Sequence, residues 1–136
     1  MDINLFRKAL ASKQGLLKED HAIESSKSLL AKASDTLRRK RNEDTAEEAL
    51  NLLTQVKNTL KHHPLYGMDL KLGSSVHTLE WYLDSAYDVV LDAFYSFTDN
   101  RGARLYRNTD VAEGQKLLVL AIDEIDDILK ALKILF

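Results

Sequence analysis

The chain has 136 residues, 45% of them apolar and 29% charged, a balance that supports a folded domain and excludes a disordered one. It contains no cysteine, which excludes a disulfide framework, thiolate zinc sites and a cysteine nucleophile, and its net charge of −2 gives no reason to expect bulk affinity for nucleic acid. The charge is nevertheless divided: residues 1–72 carry 13 Lys/Arg against 10 Asp/Glu, whereas residues 73–136 carry 6 against 11.

The opening "MDINLFRKAL" puts acid before base and has no uninterrupted apolar run, so it does not read as a secretory signal. No stretch approaches the apolar length needed to span a bilayer, and a cytoplasmic protein is expected. Ile3, Phe6, Leu10 and Leu17 form a first apolar series on one helical face, and Ile23, Leu30 and Leu37 a second. The stripe slips phase between them. The reading adopted is a continuous or kinked helix over 3–40, with a long helical hairpin broken near Gly15–Asp20 as the alternative.

"RNEDTAEEAL" opens the next helix, with Asp44 or Thr45 as its cap and Glu47 and Glu48 in the first turn, where the helix dipole favours acids. Ala49, Leu50, Leu53, Val56 and Leu60 form its apolar stripe. "HHPLYGMDLKLGSS" reads as a loop punctuated by Pro64, Gly67 and Gly73. Ser74 or Ser75 then caps a helix carrying Val76, Leu79, Leu83, Ala86, Val90, Phe94 and Phe97 on one side. After an interruption at "TDNRGARLYRN", Asp110 followed by Glu113 reads as a capping-box variant. The last helix runs to about Leu135, with Leu117, Leu118, Ala121, Ile125, Ile128, Leu129 and Leu132 facing one way. Val119, Leu120 and Ile122 widen that face and mark the helix as central. Without an alternating strand pattern, these segments predict an all-α bundle of four to five helices, a single domain over residues 1–136.

The stretch "EWYLDSAYDVVLDAF" places Glu80, Asp84, Asp88 and Asp92 at every fourth position, a slowly winding band roughly opposite the apolar stripe. Trp81, Leu91 and Tyr95 lie within or beside it. Aromatics among acids on an outward face suit a protein interface, so Trp81, Asp84, Asp88, Asp92 and Tyr95 are the candidate partner-binding residues. The competing reading is an enclosed helix whose acids pair internally. A metal site would need carboxylates from a second element, which Asp123, Glu124, Asp126 and Asp127 could supply. Here Glu124-x-x-Asp127 resembles one motif of the all-α nucleotide pyrophosphohydrolases, which implies a magnesium-dependent hydrolase. The spacing of the other acids departs from that family's paired motifs, and Asp123, Asp126 and Asp127 point away from their helix's core face.

Arg101, Arg104 and Arg107 share a face if their segment is helical, and with Tyr106 they could hold phosphate and stack on a base. "LRRKRNED" reads as one helix C-terminus followed by another N-terminus. None of His21, His62, His63 and His77 has the upstream arginine of the HEPN ribonuclease motif, and His62 and His63 read as helix-end residues. "LKLGSS" is similar to the segment after the phosphorylated histidine of phosphotransfer domains, but Gly67, Met68 and Asp69 stand where that histidine belongs.

The expectation is a small binding, adaptor or regulatory protein of inhibitor, immunity or assembly-chaperone type, acting through a basic protein partner. No catalytic residues, cofactor, metal or membrane association is expected. Nucleic-acid or nucleotide binding through Arg101, Arg104, Tyr106 and Arg107 is the first alternative, a magnesium-dependent hydrolase the second, and self-association a further arrangement.

Overall fold

The computed structural model describes residues 20–98 and 110–136. Its elements are helix α1 (His21–Arg39), helix α2 (Glu43–Leu60), a 3-10 turn (Pro64–Gly67), strands β1 (Asp69–Leu72) and β2 (Ser75–Thr78), helix α3 (Leu79–Thr98) and helix α4 (Val111–Leu135). The fold is thus mostly helical, as expected, with a small antiparallel hairpin that was not. No helix among the described residues is long and apolar enough to cross a membrane.

The helix ends show why the chain divides where it does. Asp20 is extended and accepts a hydrogen bond from the Ile23 amide at 3.0 Å, so α1 begins there. A helix running unbroken through 3–40 is therefore excluded at Asp20, where "LKEDH" carries a start signal; the first apolar series, Ile3 to Leu17, lies outside the described residues. At the other end Lys40 is extended, and the Arg41 guanidinium donates to the carbonyls of Leu37 and Arg38. The helix-end reading of "LRRKRNED" holds. Asn42, rather than Asp44 or Thr45, caps α2: its side chain accepts from the Thr45 amide, and the Thr45 hydroxyl accepts from the Asn42 amide, each at 2.9 Å. Glu43 and Asp44 consequently occupy the first turn in place of Glu47 and Glu48. Asp110 caps α4 as expected, accepting from the Glu113 amide at 2.9 Å.

The segment expected to be a loop contains the hairpin. Asp69 pairs with Thr78, Leu70 with His77, Lys71 with Val76 and Leu72 with Ser75, leaving Gly73 and Ser74 as a two-residue turn. Gly73 has φ +63°, a conformation that tight hairpin turns require and that glycine adopts without steric cost. The start of α3 therefore moves to Leu79, and Thr78 replaces Ser74 or Ser75 as the capping side chain, accepting from the Trp81 amide at 3.1 Å. Val76 leaves the expected helical stripe and is an exposed strand residue.

Each helix packs chiefly against two others, in the cyclic order α1, α2, α3, α4. Leu30, Leu37, Leu53, Leu60, Leu83, Leu118 and Ile125 are fully buried, so each of the four described helices supplies the core. Truncating such a leucine to alanine costs about 2–5 kcal/mol. The stripes read from periodicity reappear, with Leu50, Leu117, Phe94 and Phe97 only half-buried and Leu52 added. Ile122 is buried, but Val119 and Leu120 are about half exposed, so α4 is not enclosed on that side. Gly114 lies where α3 and α4 approach closely: a Cβ there would come within 2.7 Å of the Phe97 ring.

Polar ties cross the helix interfaces. Ser34 Oγ donates to Asp126 at 2.6 Å, and Arg38 pairs with the same carboxylate, joining α1 to α4. Lys57 meets Asp84 at 2.7 Å, joining α2 to α3. The most enclosed tie is between Asp20 and His63, whose side chains are only 8% and 9% exposed. His63 Nδ1 accepts from the Leu65 amide, which places the imidazole proton on Nε2, where it is donated to Asp20 at 2.6 Å. Burial opposes ionisation of Asp20, but hydrogen bonds from His63 and from the amides of Ile23 and Ala22 outweigh it and hold the carboxyl below its usual range.

Asp20→Ala should therefore destabilise the fold by about 2–3 kcal/mol at pH 7, combining a lost cap with an unsatisfied His63 N–H. A carboxyl with a lowered folded pKa stabilises above its unfolded value and loses that effect as pH falls through the folded value. The gap between the two proteins, measured by urea unfolding, should narrow below about pH 4.

Candidate functional site

Helix α3 has two outward-facing consequences of its four-residue acid spacing. Successive acids are rotated by only about 40°, so Asp84, Asp88 and Asp92 stay on one side of the helix, and Trp81 and Ser85 share that side. Trp81, Asp84, Ser85, Asp88, Val89 and Asp92 line one surface groove of about 280 Å³. Trp81 is 49% exposed, and Asp88 and Asp92 are exposed, whereas Asp84 is half-buried beside Lys57. Four of the five expected partner-binding residues thus lie together. Tyr95 does not line the groove; it is half-buried, with its ring tilted against Phe94 at 6.2 Å between centroids.

The acids do not act alike. The hydrogen bond to Asp84, against partial burial, holds the Lys57 ammonium above its usual range, so Asp84 spends much of its charge within the fold. Lys57 also lies 4.9 Å from the centre of the Tyr87 ring. Burial, reinforced by the charges of Asp84 and Glu80 and opposed by Lys57, pushes up the Tyr66 phenol.

A second cavity, of about 240 Å³, opens on the other flank of Trp81. Leu72 and Ser75 of the hairpin form one wall, Trp81, Tyr82 and Ser85 of α3 a second, and Glu124, Asp127 and Ile128 of α4 the third. The hairpin is held in place by buried Tyr82, whose hydroxyl lies 2.9 Å from the Ser75 carbonyl and 3.1 Å from that of Leu70. His77 of β2 stacks on the Trp81 indole, with centroids 3.7 Å apart and planes 15° apart, and the Tyr82 ring meets that indole edge-on at 5.4 Å. One indole face is therefore covered by His77, and the residue as a whole remains 49% exposed.

Across the cavity Ser85 Oγ donates to Glu124 at 3.3 Å. Burial raises the Glu124 carboxyl above its usual range; the Ser85 hydrogen bond opposes the shift and the neighbouring charge of Asp127 adds to it. Asp126, next to Asp127, is engaged with Ser34 and Arg38 of α1. Asp84 and Asp88 line one depression and Glu124 and Asp127 the other, so the two sets do not converge. Among the described residues no group of three or more His, Asp or Glu could hold a metal ion. Arg101, Arg104, Tyr106 and Arg107 lie outside the described residues.

Sequence reasoning missed Ser85, His77 and the hairpin wall. Ser85 could have been found, because it stands four residues after Trp81 on the same helical face; His77 could not, because its contact requires the strand. No protein family, curated protein or solved structure matches this chain.

Glu124→Gln keeps an acceptor for Ser85 while removing the half-buried charge. A carboxyl raised on folding costs nothing when protonated in both states; the cost grows as pH rises through the unfolded value and is complete above the folded one. The variant should therefore match the parent's thermal midpoint near pH 3 and exceed it at pH 7. A lower midpoint at pH 7 would contradict this account of Glu124.

Proposed function

We propose that this chain is a binding module, with no catalytic chemistry of its own, that holds a basic segment of a partner protein across the outer face of α3. The observation that supports this most is the position of Trp81: half exposed, fixed from behind by His77, and flanked by acid-lined depressions on both sides. A large aromatic can supply the desolvated centre of an interface, and surrounding charges its rim. The same carboxylates repel phosphate, which disfavours nucleic acid at this face. The absence of cysteine fits a cytoplasmic setting for the partnership.

The acids should govern encounter and the indole retention, because rim charges mainly steer association while a buried aromatic sets dissociation. The test is quantitative capture from cell extract by the parent, by Trp81→Ala, by Asp88→Lys and by Glu47→Lys on the exposed face of α2. A protein presenting a basic segment should lose at least about fivefold in retention on Trp81→Ala, about 1 kcal/mol. Asp88→Lys should slow its association and flatten the salt dependence, and Glu47→Lys should leave it unchanged. If no captured protein depends on Trp81, or the dependent one contacts the face through acids, the proposal fails.

A further inference from the structure

The two depressions beside Trp81 differ in construction. The groove over Asp84, Asp88 and Asp92 belongs to a single helix and is open along its length, as suits a peptide backbone passing over it. The cavity on the other flank is walled by three elements and held open by the Tyr82 clamp. At about 240 Å³ it falls below the 300–1,000 Å³ typical of small-molecule sites, and a single long side chain is the better match for its size. Trp81 and Tyr82 stand on one side and two acidic residues on another, and among the described residues that line it none is a lysine or arginine.

We infer that this cavity receives one arginine side chain from the partner's basic segment, its guanidinium lying against Trp81 and forking onto Glu124. The inference rests on the function proposed above and names the partner group that the site selects. A planar guanidinium stacks on an indole and presents paired N–H donors to a carboxylate; a lysine ammonium is a compact point charge that does neither in one pose. The Glu124 oxygens lie 3.3 and 3.5 Å from Ser85 Oγ, long for hydroxyl hydrogen bonds, so a charged donor has room to compete for them. Asp127 adds a second negative charge at the mouth, one helical turn along α4. Arrival of the cation also compensates the cost of keeping Glu124 ionised in a half-buried place.

The probe is an acetylated, amidated hexapeptide, Gly-Lys-Lys-Arg-Lys-Gly, titrated while following the emission of Trp81. Two further peptides carry lysine or citrulline in place of the arginine; citrulline keeps the shape and removes the charge. The parent protein should bind the arginine peptide about tenfold more tightly than either, the discrimination expected of a charge-assisted paired contact. In Glu124→Gln that preference should fall below about twofold, while Asp88→Lys should weaken all three peptides together and keep the preference. Equal binding of the three peptides by the parent, or a preference that survives Glu124→Gln, overturns the arginine pocket and leaves the basic-partner reading intact. If none of the peptides binds at low salt, that reading falls and the pocket with it.

Discussion

The Tyr82 hydroxyl is the contact on which the face around Trp81 depends. Tyr82 sits in the first turn of α3 and reaches back to the carbonyls of Leu70 and Ser75, one on each strand of the hairpin. Hairpins of four-residue strands are marginal alone, so this one needs an anchor outside itself. Docked by Tyr82, it supplies Leu72 and Ser75 to the cavity wall and His77 to the back of Trp81. Trp81 is thereby set in place by the fold itself, which would lower the ordering cost of the proposed association.

The rest of the bundle decides which carboxylates are engaged within the fold. Asp84 faces α2 and meets Lys57, and Asp126 faces α1 and meets Arg38 and Ser34. Glu124 faces α3, where Ser85 donates to it, and Asp88 is exposed. Four acids of similar chemistry thus take four different roles, set by what the neighbouring helix offers. Polar ties at two other helix interfaces, α1 with α4 and α2 with α3, and the enclosed Asp20–His63 pair also fix how the helices register, so the spacing across the cavity between Ser85 and Glu124 follows from contacts made elsewhere.

Much of the fold is legible in the sequence because helices bury one face with a period near 3.6, and those stripes recur along α2, α3 and α4. Caps were less legible. Asp110 stands alone before its helix and reads cleanly, whereas "RNEDT" offers several capping residues, and only backbone geometry selects Asn42. The hairpin was hidden because its strands are four residues long: "DLKL" alternates too briefly to register as a period, and Val76 happens to fall in phase with the helix that follows. Within the site, Trp81, Asp84, Asp88 and Asp92 could be grouped because they share one helix. Their relation to Glu124, Asp127 and His77 could not, because it exists only once α4 and the hairpin are packed against α3.

The central claim is that Trp81 is an accessible indole in a negative surround, and because it is the chain's only tryptophan its fluorescence tests that claim directly. Emission should be red-shifted. Relative to N-acetyltryptophanamide, caesium should quench it more efficiently than iodide, since the carboxylates concentrate cations and repel anions, and the difference should shrink as salt screens the field. Blue-shifted emission resistant to both quenchers, or relative quenching by iodide at least as strong as by caesium, would contradict the account.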